Sequence, residues 1–151
     1  MPPSHEFPER PVPAVGAVVF RRTEVLLVQR DSEPNRGRWS VPGGALEFGE
    51  TVEEAAVRET LEESGVVVKP VRVFDVRDYI EREGERIRWH YVLVNVLCAH
   101  VQGEPAHASD ARDARFIPWR RLAEYDVTST AIEVIQSAVA RTRLGIPFRR
   151  I

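Results

Sequence analysis

The chain has 151 residues, 43% apolar, 29% charged and 8% aromatic, with 21 basic against 23 acidic side chains. One domain of that size buries roughly two-thirds of its unfolded surface, which excludes a disordered chain, a collagen or coiled-coil fibre and a disulfide miniprotein. The near-neutral balance excludes a global basic field, so no nucleic-acid partner is expected.

The lone Cys98 cannot form an internal disulfide, which fits a reducing compartment. The apolar runs Val15–Phe20 and Val92–Ala99 fall short of the roughly 20 residues of a membrane span. The first residues, with Glu6 and Glu9 among prolines, lack the layout of a signal peptide. No membrane partner is expected, and the protein is read as cytoplasmic. Lys69 is the only lysine, so nearly all of the positive charge is arginine.

Residues 1–13 carry Pro2, Pro3, Pro8, Pro11 and Pro13, which have no backbone donors, and predict an extended, poorly packed lead-in. Val15–Phe20 and Glu24–Gln29 are β-rich runs about Arg21-Arg22-Thr23 and predict a hairpin. Asp31–Arg38 is a polar loop; Trp39–Val41 is a short extended piece halted by Pro42-Gly43-Gly44. Thr51 with Glu54 three residues on is the reciprocal spacing of a helix start, and Gly65 suits the left-handed helix end. Val52, Ala55, Ala56, Val57, Thr60 and Leu61 predict the buried side of that helix.

Val66–Val68 and Val71–Val76 predict strand, Asp78–Gly84 a polar connection and Ile87–Cys98 a long strand whose second half is apolar on both faces and therefore central. Gln102–Arg112 reads as loop, Ala114–Pro118 as strand and Trp119–Glu124 as a helical turn. Thr128–Arg143 is amphipathic, with Ile132, Ile135 and Val139 at core spacing. Residues 14–145 form a single domain in this reading, followed by a tail over 146–151. Strands with two separated helices predict an α/β or α+β domain.

The first helix breaks its own rules. Between Glu50 and Glu63 stand six carboxylates and one base, Arg58. Glu53 and Glu54 suit the positive end of the helix dipole, and Glu54 with Arg58 is a favourable pair four residues apart. Glu59, Glu62 and Glu63 have no such support: they fall within an arc of roughly 100° on one face, two of them in the last turn. Uncompensated local conflict of this kind marks functional sites. A hard divalent cation would relieve it, because carboxylate oxygens suit Mg²⁺ or Mn²⁺. From charge alone, a solvated acidic face remains the competing explanation.

Gly44, Glu50, Arg58, Glu59, Glu62, Glu63 and Gly65, closed by Val66, follow the spacing G-x5-E-x7-R-E-x-x-E-E-x-G. This stretch, GALEFGETVEEAAVRETLEESGV, resembles the Nudix hydrolase signature, and Trp39–Gly43 resembles its usual lead-in. Thr60 departs from the aliphatic residue common at that position. The resemblance implies an α/β/α sandwich with a mixed β-sheet. It also implies metal-dependent hydrolysis of a nucleoside diphosphate linked to another group. Position by position, Glu59, Glu62 and Glu63 match the metal-binding carboxylates, Arg58 the arginine that holds a glutamate, Glu50 an auxiliary acid and Gly44 the loop glycine whose carbonyl reaches a metal. Mg²⁺ is the implied cofactor, with Mn²⁺ as its substitute.

An acidic helix repels a diphosphate unless cations intervene, and a neighbouring carboxylate must take the proton of the attacking water. Asp110 and Asp113 are candidates for a downstream base, against an ordinary reading as loop aspartates. Arg30, Arg38, Trp39 and Tyr79 are candidates for binding a small nucleotide substrate, and Trp89 and Tyr91 could join a stacking platform. Surface arginines and core aromatics are the competing readings. The four histidines lack metal-ligand spacing.

ADP-ribose or a related nucleotide sugar is the first substrate class. Many ADP-ribose pyrophosphatases of the family carry a proline at the positions held here by Glu81 and Arg82, which keeps modified nucleoside triphosphates in contention. A non-catalytic nucleotide sensor is the third reading, disfavoured because such domains typically lose box carboxylates. A homodimer is left open.

Overall fold

The structure, a computed structural model, describes residues 4–106 and 111–143. Two strands open the fold, β1 (Val12–Arg21) and β2 (Glu24–Arg30), joined by a tight turn in which Arg22 takes the left-handed conformation. Two short strands follow, β3 (Trp39–Ser40) and β4 (Gly43–Ala45), then helix α1 (Val52–Ser64). A long hairpin, β5 (Val67–Glu83) and β6 (Arg86–Gln102), leads to β7 (Ala111–Pro118), a 3-10 helix at Trp119–Glu124 and helix α2 (Ser129–Arg143).

The strands form a mixed sheet in the order β3-β2-β1-β6-β5, with β4 added beside β1 and β7 beside β2. β1 runs parallel to β6 from the pair Val12 and Tyr91 to the pair Phe20 and Ala99. The other strand pairings are antiparallel. β6 is therefore central, as its two-sided apolar half predicts.

Alternation along the strands separates two cores. Ala17, Val19, Leu26, Val96 and Cys98 face α1, where Ala56 meets them. Val18, Val25, Leu27 and Leu97 face the other way, against Ala131, Val134, Ile135 and Ala138 of α2. The sheet thus lies between the helices in the expected α/β/α sandwich. Burial pushes the Cys98 thiol up to about 12, so it stays an inert core thiol.

α1 begins and ends where its capping residues place it. Thr51 Oγ1 accepts from the Glu54 amide at 3.1 Å and Glu54 Oε2 accepts from the Thr51 amide at 2.9 Å. Gly65 closes the helix at φ 73°. Its buried side differs from the predicted one: Ala55, Ala56, Glu59, Thr60, Glu63 and Ser64 are buried, while Leu61 is 49% exposed. The rotation is possible because the hydroxyls satisfy themselves within the helix. Thr60 donates to the Ala56 carbonyl at 2.7 Å and Ser64 to the Thr60 carbonyl at 2.6 Å.

Two further expectations need correction. Asp78–Glu83 is strand rather than connection, because each residue there faces β6 and the turn falls at Gly84. A hairpin wet on one face carries no apolar signal over those residues. The lead-in is also packed. The Phe7 amide donates to the Arg88 carbonyl at 2.8 Å, Glu6 pairs with Arg88 at 2.9 Å, and β1 begins at Val12.

Thr51→Ala is expected to cost about 1 kcal/mol, the typical value of a lost N-cap. The check is a lower urea midpoint at unchanged slope.

Candidate active site

Arg58 organises the acidic helix. Its Nε and Nη2 donate to the two oxygens of Glu50 at 2.6 and 2.9 Å, a bidentate pair. Its Nη1 donates to Glu59 at 2.8 Å and to Glu62 at 3.3 Å. Glu50 lies outside the helix, so the loop must bring it there. A turn from Glu47 to Glu50, with Gly49 at φ 82°, does so. Within it the Glu47 amide donates to Glu50 Oε2 at 3.0 Å. The Arg58 hydrogen bonds hold the Glu50 carboxyl below the usual range, and they raise Arg58 in turn.

Glu59 and Glu63 are the buried acids, 9% and 8% exposed. Burial raises both, and their mutual contact pushes Glu63 further, well above the ordinary value. The Glu59 charge is favoured by Arg58, and the Glu63 charge by Arg30 and the Gly43 amide. Glu62 lies at the exposed side of the same face, bound to Arg58.

β4 brings Gly44 against this pair. A Cβ added at Gly44 would stand 2.5 Å from Glu59 Oε1, so a side chain there would displace the Glu59 carboxylate from its place. β4 reaches this position because Gly43 packs on the backbone of β1, where a Cβ would meet the Val15 carbonyl oxygen. This short strand hides in sequence within the Pro-Gly-Gly stretch that reads as a break.

Among the described residues, no three acidic, histidine or cysteine side chains form a ready metal cage. The donor chemistry nevertheless fits Mg²⁺ or Mn²⁺. Two buried carboxylates touch each other, one of them against the bare glycine of β4, and such ions are commonly held by one or two carboxylates with waters and substrate phosphates.

The remaining candidates divide. Arg30, at the end of β2, donates to the Pro34 carbonyl at 2.7 Å and acts electrostatically on Glu63, Tyr79 and Tyr91. Tyr79 is half-buried; its hydroxyl donates to Glu81 at 2.9 Å and stands 3.5 Å from the Asn35 amide. Of these two, Arg30 acts on the acidic pair, and Tyr79 is linked to it only through Arg30.

Arg38 instead binds Asp126 and the Val127 carbonyl, each at 3.1 Å. Trp39, 8% exposed, packs edge-on against Tyr125 in the core beneath α2, so it presents no open face to a base. Asp113 lies within β7, where it accepts from Arg115 at 2.8 Å and from the Ala114 amide, rather than in a loop. Asp110 lies outside the described residues.

The fold and this site correspond to a known family: the NUDIX domain matches residues 10–138. The chain belongs to the NUDIX family. It is 33% identical over 112 residues to an ADP-ribose pyrophosphatase of Methanocaldococcus jannaschii, covering 74% of this chain and 64% of that protein. It therefore spans less than two-thirds of that relative's length. A putative 8-oxo-dGTP diphosphatase 2 of Mycobacterium tuberculosis is 38% identical over 112 residues, covering 73% of each chain.

Among solved structures, a NUDIX hydrolase from Nitrosomonas europaea superimposes with TM-score 0.76 at 20% identity, covering 87% of this chain and 90% of that one. A bifunctional NMN adenylyltransferase/ADP ribose pyrophosphatase from Francisella tularensis, complexed with AMP and a manganese ion, does so with TM-score 0.73 at 23% identity. That match covers 87% of this chain and 42% of the other. Both likenesses are of fold.

Within this NUDIX domain, Arg58→Met is expected to cost roughly 2–4 kcal/mol, because it leaves Glu50 and Glu59 without their counter-charge. Thermal unfolding of the metal-free protein measures it, and an unchanged midpoint would contradict the pivotal position of Arg58.

Proposed function

We propose that the chain is a divalent-metal-dependent pyrophosphohydrolase that cleaves the diphosphate of a nucleotide joined to another group, with ADP-ribose or a related nucleotide sugar as substrate. The observation that carries this reading is the buried Glu59–Glu63 pair against Gly44, with Glu59 bound to an arginine anchored on Glu50. Two buried acids in contact, of which only Glu59 has a bound cation, are costly to hold in such a place, an expense that a cation-dependent task explains.

Each residue has a distinct part. Glu59, Glu62 and Glu63 would hold Mg²⁺ or Mn²⁺, with the Gly44 carbonyl beside them. A bound cation offsets diphosphate charge and makes a bound water more acidic. Arg58 fixes the rotamer of Glu59, and Glu50 fixes Arg58. Arg30, which acts electrostatically on Glu63, would meet a substrate phosphate. Tyr79 would flank the nucleoside. The base that receives the water's proton is one of the box acids; Asp113 is already engaged by Arg115.

A second reading, a pyrophosphohydrolase of modified nucleoside triphosphates, keeps the same machinery and changes only the substrate. The likeness to the mycobacterial protein named for 8-oxo-dGTP supports it. The full set of box carboxylates argues against a non-catalytic sensor.

Product analysis with Mg²⁺ across ADP-ribose, other nucleotide sugars, dinucleotides and modified triphosphates separates these readings. AMP and ribose 5-phosphate from ADP-ribose are the expected products. Preferential release of pyrophosphate from a triphosphate would move the substrate to the second class. Glu63→Gln is expected to lower turnover by more than about a hundredfold, since loss of a metal-holding carboxylate should exceed the roughly 10–100-fold cost of losing a group one step removed from the metal. Its circular dichroism should be unchanged. Full turnover in that variant would remove Glu63 from the site.

A further inference from the structure

β5 ends the sheet order, and among the described residues it pairs with β6 alone. Its outer side therefore carries backbone amides and carbonyls that no other strand receives. Such an edge is a template for pairing with another chain, and bulges or prolines are the usual means of blunting it. The first half of β5 is blunted in this way. Three register shifts fall between Val67 and Asp75, and Pro70 has no amide to donate.

The second half has no such protection. From Asp75 opposite Asn95 to Glu81 opposite Trp89 the pairs advance one by one. At the next step the extra residue is Arg88, on β6, so β5 itself stays regular over 75–83. Along it Val76, Asp78, Ile80 and Arg82 share one face, and all four are exposed. Val76 is 60% and Ile80 48% exposed, so this open edge carries two of the molecule's exposed large apolar side chains. Neither Asp78 nor Arg82 has an ion-pair partner among the described residues.

The order of charges along this stretch is self-complementary. When identical strands pair antiparallel about a twofold axis, residues equally far before and after the central one face each other. With Ile80 at the axis, Ile80 meets its own copy, Asp78 meets Arg82 and Arg77 meets Glu83, each charge pair occurring twice. Within β5 no like charges are then opposed. An axis at Asp78 or Glu81 would set that acid against itself, and one at Tyr79 would set Asp75 against Glu83.

We infer that the outer edge of β5 is a self-association surface, where a second copy of this chain adds its own β5 antiparallel with Ile80 at the twofold axis. The sheet then continues from one domain into the other. Strands of this length bury less than the roughly 1,200 Å² of a standard interface, so the dimer exchanges with monomer. The pairing lies outside the acidic box and stands whether or not the chain hydrolyses nucleotides.

Sedimentation velocity of the full chain over an about hundredfold range of protein concentration reads the pairing. The wild type is expected to pass from monomer to dimer. Asp78→Arg and Arg82→Asp should each raise the dimer dissociation constant about tenfold or more, the scale of two symmetry-related cross-strand pairs turned from opposite to like charge. An equal mixture of the two variants should associate to within about threefold of the wild type, because each then meets opposite charge. Both positions are exposed, so circular dichroism of each variant should match the wild type.

A wild type that stays monomeric throughout overturns the pairing and leaves the edge to a different protein. A dimer that both single variants retain also overturns it, since that dimer uses another surface. Loss in the single variants without recovery in the mixture overturns the register centred on Ile80.

Discussion

The contact on which the site depends is the grip of Arg58 on Glu50. A guanidinium satisfied on two sides by one carboxylate has its third nitrogen left for Glu59, at a position that neither partner alone would define. Without it, α1 would carry its acids on a buried face with no counter-charge. Such groups either protonate or turn outward, because an isolated charge out of water costs several kcal/mol. With Arg58 in place, Glu59 of the buried pair has a bound cation, and Glu63 is buried beside it with Arg30 as the cation that acts on it.

The same requirement explains the architecture on either side. Acids can sit on the buried side of α1 only if something other than a packed apolar layer lies opposite them. β4 provides that: a strand of Gly43–Ala45 held on β1, with no side chain where Glu59 approaches. Toward its other edge α1 packs conventionally, Ala56 against Ala17, Val19 and Val96. One helix thus does two jobs, anchoring by small apolar residues and presenting acids by those one turn away. Thr60 and Ser64 make this workable, because hydroxyls that bond back to their own helix can be buried without outside partners.

The long β5–β6 hairpin extends this arrangement to a second region. Its first half is covered by α1 and α2, and its far half projects past both, where Tyr79, Tyr91 and the residues around His5 gather. Arg30 acts electrostatically on both tyrosines and on Glu63.

The acidic box, its spacing and the caps of α1 were legible in the sequence because they are local: helix periodicity alone brings Glu59 and Glu63 to one face, and Thr51 and Glu54 cap the turn they belong to. So was the two-sided β6, while the α/β/α sandwich was implied by the family resemblance. The pairing of Arg58 with Glu50 was not legible: the resemblance implied only an arginine that holds a glutamate and an auxiliary acid, and the turn at Gly49 that closes the pair leaves no periodic signal.

Tertiary structure alone decided the rest. Trp39 went to the core and Arg38 to Asp126, while Arg30, only a few residues earlier in the chain, came to the acidic pair. Asp113 entered a strand rather than a loop. The buried side of α1 turned away from Leu61 toward two acids. The proline-rich start was packed by contacts to Arg86 and Arg88, some 80 residues distant, as the Glu6–Arg88 pair at a separation of 82 illustrates. Composition and period report which groups prefer water; which of them are denied it depends on what the rest of the chain brings across the sheet.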